Sequence, residues 1–128
     1  MFDLTGKVAL VTGSSQGLGA AIARCMADAG ADVVINYVSE SSKEKAEKAA
    51  EYVRGKGKTA LVIQADVSKE EAVSAMMDAI VQKFGRLDIL VNNAGINSNH
   101  NIDDLTFEEW HRVLNTDIDS GFLCSKYA

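Results

Sequence analysis

The chain has 128 residues, of which 47% are hydrophobic, and a formal net charge of −5. This composition is typical of one globular domain with a sizeable core, and the negative charge argues against nucleic-acid binding, which usually needs a basic face. No apolar run approaches the roughly 20 residues of a membrane span, and the first residues lack the pattern of a signal peptide, so we expect a cytoplasmic protein.

Strand-like apolar runs alternate with amphipathic helical stretches along the chain. In chain order the pattern predicts a strand over 8–12, a helix over 17–29, a strand over 32–37, a helix over 41–54, a strand over 59–65, a helix that runs to Phe84, a strand over 87–93 and a last helical pattern from near Ile118 to Ala128. This alternation predicts an α/β fold with a parallel sheet and right-handed crossovers.

Two helix starts carry the capping-box pattern, in which side chains three residues apart satisfy each other's backbone N–H groups. The pairs are Ser68 with Glu71 and Thr106 with Glu109, the second flanked by Leu105 and Trp110 as a hydrophobic staple. In the helix after Ser68, the Met76–Met77 pair is expected to fill core space.

The two cysteines, Cys25 and Cys124, both fall in helical patterns and lack the spacing of metal ligands. We therefore predict reduced thiols in the core and no metal site.

The stretch TGSSQGLG, Thr12–Gly19, directly follows the first predicted strand and opens the first helix. Such a turn forms an anion site, because the helix start presents unpaired N–H groups and glycines let a phosphate approach the backbone. The spacing G-x-x-x-G-x-G differs from the dinucleotide fingerprint G-x-G-x-x-G, so a simple helix-start turn is the alternative explanation.

Polar residues also follow the third and fourth predicted strands. Asp66-Val67 comes after the third strand, and Asn92-Asn93-Ala94-Gly95 comes after the fourth. Taken singly, Asp66 could cap the next helix and the asparagines could be turn residues. In this order they mark one edge of the sheet, where open α/β sheets bind ligands.

These motifs, together with WHRVLNTDIDSGF at 110–122, resemble the short-chain dehydrogenase/reductase family, particularly its 3-oxoacyl-thioester reductases and sugar dehydrogenases. The resemblance covers essentially the whole chain. It implies a Rossmann-type doubly wound parallel sheet, here of about four strands in the order 3-2-1-4, with 1–128 as the N-terminal dinucleotide-binding part. It also implies hydride transfer between NAD(H) or NADP(H) and a carbonyl or alcohol.

The resemblance assigns cofactor contacts to the glycine turn. Gly13, Gly17 and Gly19 would line the pyrophosphate, and the backbone of Gln16 and Leu18 would lie beside it. Ser14 and Ser15 would face the adenosine ribose or its phosphate.

Further contacts follow from the other two loops. Asp66 would accept from the adenine amino group, and Val67 would pack on the ring. Asn93, Ala94 and Gly95 would run under the cofactor's ribose, and Asn92 would mainly stabilise the sheet.

The end of the second strand bears on the choice of cofactor. An acidic residue there would repel a 2′-phosphate, but this chain has Tyr37, with Ser39 nearby as a donor. The basic residue common in NADP-binding members is missing as well, since Ser15, Gln16 and Val38 occupy its usual places. We expect NADP(H) rather than NAD(H), because nothing repels the phosphate.

The family's acid–base chemistry rests on a Ser and a Tyr-x-x-x-Lys beyond a fifth strand, which this sequence does not reach. Tyr127 comes too early to be that Tyr. Asp117 stands where the family usually has an Asn of the proton relay, and an ionised Asp cannot donate. We therefore expect the isolated chain to be inactive and to meet a small carbonyl or alcohol only with its C-terminal half.

The fourth strand and the helix with Phe122 and Leu123 are expected to lie uncovered, so we predict association with a second copy or a complementing chain. A non-catalytic dinucleotide-binding or interaction protein is the alternative function. A Rossmann methyltransferase fits the glycine spacing and the Asn92–Gly95 loop poorly.

Overall fold

The computed structural model describes residues 2–96 and 98–128. The strands are β1 (Val8–Val11), β2 (Asp32–Tyr37), β3 (Ala60–Gln64) and β4 (Ile89–Val91). The helices are α1 (Gly17–Asp28), α2 (Lys43–Gly55), α3 (Glu70–Phe84), α4 (Phe107–Leu114) and α5 (Ser120–Tyr127). A 3₁₀ turn (Glu40–Ser42) precedes α2, and a π-helical segment (Asn115–Asp119) joins α4 to α5 without a break.

The four strands form one parallel sheet in the order β3-β2-β1-β4. Val8 pairs with Asp32 and Ala9 with Ile89, so β2 and β4 flank β1. The predicted α/β class and strand order are confirmed. All four carboxyl ends lie at the same edge, which collects the loops after β1, β3 and β4 in one place.

Helices cover both faces of the sheet. On one face Val33 and Ile35 pack against alanines of α1 and α2, which let these helices approach closely. On the other face Leu10 and Val34 pack against α3, where Met76 and Met77 are buried as predicted.

The two cysteines differ in environment. Cys124 is buried in the α3 face of the core, and desolvation raises the pKa of its thiol to about 11, so it stays protonated at neutral pH. Cys25 is exposed on α1, and its prediction as a core thiol was wrong. The buried positions of α1 include Ala20, Ala23 and Ala27, and residue 25 lies on the opposite side of the helix.

One of the two predicted capping boxes is absent. Helix α3 begins one residue later than expected, with Lys69 as its N-cap, because the backbone N–H and hydroxyl of Ser68 donate to Asp66 Oδ1 at 3.0 and 2.6 Å. At α4 the cap is half formed: Glu109 N–H donates to Thr106 Oγ1 at 3.1 Å, while the Glu109 carboxylate pairs with Arg112.

Asp88 connects β4 to the start of β1. Val8 N–H donates to Asp88 Oδ2 at 2.9 Å, and the Arg86 guanidinium donates to both carboxylate oxygens at 2.8 and 2.6 Å. The hydrogen bonds from Arg86, and then from Val8, lower the pKa of Asp88 below its usual 3.8.

The substitution Asp88→Asn is expected to lower the free energy of unfolding at pH 7. A carboxylate with a depressed folded-state pKa stabilises the protein above its unfolded pKa and loses that effect as the pH falls through the folded value. The difference from wild type should therefore shrink as the pH falls below 3.8 and vanish once the pH is below the folded-state pKa of Asp88. Urea denaturation at several pH values measures it, with exposed Asp103→Asn as control. A difference independent of pH would contradict this role.

Candidate functional site

The turn between β1 and α1 is shaped by glycines. Gly13 and Gly17 have positive φ angles of 62° and 59°, which other residues rarely adopt. The first turn of α1 carries no acidic residue, and the side chain of its N-cap, Gln16, makes no capping hydrogen bond. The first N–H groups of α1 thus lack a side-chain partner at the N-cap, which suits this helix start to an anion.

Gly19 lies where no side chain has room. A Cβ at this position would lie 2.4 Å from Asn93 Nδ2 and from the Gly13 carbonyl oxygen. At Gly13 a Cβ would lie 3.1 Å from the Ala94 Cα. The glycines at these two positions therefore allow helix α1 and the loop after β4 to pack closely against the turn.

Asn36, the fifth residue of β2, holds the turn from beneath. Its side chain is fully buried; Oδ1 accepts from Gly13 N–H at 3.0 Å, and Nδ2 donates to the Ala65 carbonyl at 3.1 Å. Its backbone exchanges hydrogen bonds with Ser14, whose N–H donates to Asn36 O at 2.9 Å and whose hydroxyl accepts from Asn36 N–H at 3.1 Å. Asn36 thus links the turn to β2 and to the end of β3.

Asn36 is not among the residues predicted for the site from the sequence. The available signal was a lone amide in the otherwise apolar run VVIN of a buried strand. Such a group must find hydrogen-bond partners in the core.

Thr12 and Asn93 join the turn to the loop after β4. Thr12 Oγ1 accepts from the backbone N–H groups of Asn93 and Ala94 at 3.0 and 2.9 Å. Asn93 Nδ2 donates in return to the carbonyl oxygens of Thr12 and Gly13 at 3.0 and 3.1 Å. These hydrogen bonds join the loop after β1 to the loop after β4, and Asn36 joins the first of them to the end of β3.

A cavity of about 280 Å³ opens above these loops, and nine of the predicted cofactor residues line it. They are Gly13, Gln16, Leu18, Gly19, Asp66, Val67, Asn93, Ala94 and Gly95. Its other lining residues are Val38, Ile96 and Thr116. The structure thus brings together residues that are more than 70 positions apart in sequence.

The other predicted contacts lie elsewhere. Ser15 and Gly17 line a neighbouring cavity, and exposed Ser39 lies within 3.0 and 3.1 Å of the hydroxyls of Ser41 and Ser42. Ser14 and Tyr37 are buried, Ser14 against β2 and Tyr37 against the core under α1 and α2. The Ser14 hydroxyl is engaged with Asn36, so this placement does not fit the prediction that Ser14 faces a ribose.

Asp66 lines the cavity while its Oδ1 accepts from Ser68. Among the described residues its Oδ2 has no hydrogen-bond partner and is available to a ligand. Asn92, expected to stabilise the sheet, donates from Nδ2 to Ser125 Oγ of α5 at 3.2 Å. This bond anchors the last helix to the same edge.

Asp117 lies in the π-helical segment. Its Oδ1 accepts from Ile96 N–H at 2.7 Å, which holds the loop after Gly95 against the helix. Asp117 lines a separate small cavity with Leu105 and Trp110, the predicted staple pair. A π-helical turn often marks a functional position, and here it directs one carboxylate oxygen at the loop.

The spacing Tyr-x-x-x-Lys does occur in the sequence, at Tyr52 and Lys56 of α2 and its C-cap. Tyr52 donates to Asp28 Oδ1 at 2.9 Å, and Lys56 Nζ lies 3.4 Å from the same oxygen. Asp28 ends α1, about 18 Å along the helix from the glycine turn. This pair therefore joins two helices at the opposite edge of the sheet and takes no part in the site.

Known proteins are similar to this chain in sequence. The family model described as short chain dehydrogenase matches residues 7–128. Glucose 1-dehydrogenase 2 of Bacillus subtilis is 41% identical over 127 residues, with 98% of this chain and 48% of the relative covered. A 3-oxoacyl-[acyl-carrier-protein] reductase of Staphylococcus aureus is 42% identical over 122 residues, with coverage of 95% and 49%.

A solved structure is similar to this chain in both fold and sequence. A short chain dehydrogenase of Burkholderia cenocepacia in complex with NADP has a TM-score of 0.93 and 43% identity, and the match covers 98% of this chain and 50% of that one. The chain spans about half the length of the relatives it matches. Among residues 2–96 and 98–128, no helix is long and apolar enough to cross a membrane. The chain belongs to the short-chain dehydrogenase family.

Proposed function

We propose that this chain is the cofactor-binding part of an oxidoreductase that uses NADP(H) in preference to NAD(H) to reduce a carbonyl or oxidise an alcohol. The observation that carries the proposal is the contact at Gly19. There the turn and the Asn93 side chain of the loop after β4 lie so close that a Cβ would not fit, beside a helix start whose N-cap side chain makes no capping hydrogen bond. A diphosphate fits such a cradle.

The residues around the cavity suit the rest of a dinucleotide. Gly13, Gly17 and the backbone of Gln16 and Leu18 would hold the diphosphate. Asp66 and Val67, at the end of β3, offer a carboxylate oxygen and an apolar surface to the adenine. Asn93, Ala94 and Gly95 would support the ribose, on a loop that Thr12 fixes.

When bound, the nicotinamide supplies or accepts the hydride. The residues that line the cavity would bind and orient the cofactor. Asp117 would help to position the loop that carries Gly95, because its carboxylate accepts a hydrogen bond from the next residue, Ile96. The alternative function is dinucleotide binding without catalysis.

Titration calorimetry of the protein at its native length tests the proposal. We expect NADPH to bind at one site per chain and more tightly than NADH, with oxidation of NADPH in the presence of simple ketones or 3-oxoacyl thioesters. Binding without turnover would support the non-catalytic alternative. Absence of binding at millimolar nucleotide would contradict both.

Two further points stay proposals. A cytoplasmic location is supported by the two cysteines, which are both free thiols. Association with a second copy or a complementing chain is supported by the exposed Phe107 and Trp110 of α4, together with Ile118 and Phe122 further along the same continuous helix.

A further inference from the structure

A second cavity, of about 290 Å³, adjoins the ligand cavity on the side of α2. It lies between the glycine turn, represented by Ser15 and Gln16, and the side chains of Arg24, Lys45 and Lys48. Gln16 lines both cavities and separates them. The second cavity therefore opens directly beside the place where a bound dinucleotide would lie.

Lys45 is connected to this boundary by a direct contact. Its Nζ donates to Gln16 Oε1 at 2.7 Å, from the first turn of α2 to the N-cap of α1. An ammonium group has three donors, and this bond uses one of them. Within the described part of the chain, the Gln16 amide nitrogen and the remaining Lys45 donors have no hydrogen-bond partner, so they are available to a ligand.

The charge balance of the second cavity is unusual for this chain. Its lining has three cations and no carboxylate, although the protein carries a net charge of −5. Among the described residues, none of the three cations forms an ion pair. Glu40, which lies 3.9 Å from Lys43, and Glu47, which lies 3.6 Å from Arg54, are not among the residues that line the cavity.

This basic cavity is lined by Ser15, which was expected to face the adenosine ribose or its phosphate, and its charge suits a ribose phosphate. Phosphate carries close to two negative charges and accepts several hydrogen bonds, and lysine binds it as a point charge. The second strand ends in Tyr37, which gives no repulsion, but the turn and the end of β2 supply no cation. Lys45 and Lys48 of α2 supply the positive charge that the turn and the end of β2 lack.

We propose that Lys45, positioned by its hydrogen bond to Gln16, is the residue that selects a 2′-phosphorylated nucleotide, with Lys48 and Arg24 as the supporting positive field. The proposal rests on the function proposed above and names the group that would give its cofactor preference. It predicts that selectivity depends on a helix residue 29 positions away from the turn it serves.

The test uses a pair of nucleotides that differ only in the 2′-phosphate, adenosine 2′,5′-bisphosphate and 5′-AMP. Calorimetric affinities are measured for the native-length protein and for Lys45→Gln and Lys45→Arg. We expect Lys45→Gln to weaken bisphosphate binding about tenfold and to leave 5′-AMP binding unchanged, since a charge-assisted bond to phosphate is lost. Lys45→Arg should retain most of the affinity.

The matched control is Lys43→Gln, which removes the same charge from the same helix but lies outside the cavity, beside Glu40. It should change neither affinity by more than about twofold, because exposed charges act weakly at a distance. Since Lys45 is exposed, its variants should fold normally, which circular dichroism verifies.

Three results would overturn the inference in distinguishable ways. If Lys45→Gln weakens both nucleotides equally, or neither, Lys45 does not read the 2′-phosphate. If the wild-type protein binds the two nucleotides equally, the preference for NADP(H) is wrong while nucleotide binding stands. If the wild-type protein binds neither nucleotide, the proposed function itself fails.

Discussion

Replacing Asn36 with alanine is expected to lower the free energy of unfolding by about 3 to 5 kcal/mol. The change would leave Gly13 N–H and the Ala65 carbonyl without the partners they now have inside the protein. Each buried polar group left unsatisfied costs about 1 to 3 kcal/mol, and the cavity left by the side chain adds to this. The turn would also lose its support, so nucleotide affinity should fall as well.

Urea denaturation followed by circular dichroism measures the loss of stability. Asn92→Ala is the matched control, because Asn92 is exposed and, among residues 2–96 and 98–128, its side chain makes one hydrogen bond, to Ser125 Oγ. Its cost should stay below about 1 kcal/mol. An Asn36→Ala variant as stable as Asn92→Ala would show that Asn36 does not hold the turn.

Replacing Gly19 with alanine is expected to reduce nucleotide affinity by about 100-fold and stability by about 1 to 3 kcal/mol. The added methyl group would lie 2.4 Å from Gly13 O and 2.9 Å from the Ser14 Cα, and backbone atoms cannot move aside without shifting the turn. The displaced turn would then break the bonds that Asn93 Nδ2 donates to Thr12 and Gly13.

Calorimetry with NADPH and urea denaturation together measure the Gly19→Ala effect. Gly121→Ala is the control, since a Cβ at this position in α5 meets no atom within 4 Å. That change should be neutral or stabilise the protein by up to about 1 kcal/mol, because alanine favours a helix. NADPH binding of wild-type strength by Gly19→Ala would mean that the close contact at Gly19 is not needed for the site.

Local pattern was sufficient to predict the elements of this fold. The apolar runs that became β1 to β4 and the amphipathic stretches between them appear in the sequence in the order of the structure. The wrong predictions concern where a helix begins and which side of a helix is buried, as for the start of α3 and for Cys25 on α1. Ser68 was expected to cap α3, but its hydroxyl donates to Asp66, because a side chain two residues away offered a closer acceptor.

The candidate site was predictable as a set of loops rather than as a set of contacts. Parallel strands place their carboxyl ends together, so Thr12–Gly19, Asp66 and Asn93 could be assigned to one edge. Which side chains line the cavity could not be assigned from spacing. Ser14 and Gln16 are two residues apart, yet one is buried against β2 and the other is exposed and borders two cavities.

The sequence by itself determined the α/β architecture, the glycine turn after the first strand and the family resemblance, because each depends on residues that are neighbours along the chain. Only the tertiary structure showed Asn36 beneath the turn, Lys45 beside Gln16, and Tyr52 with Lys56 at the wrong edge for catalysis. These placements depend on how β2 pairs with β1 and how α2 packs beside α1. The order and register of distant segments are set by burial of the whole core, which no local pattern contains.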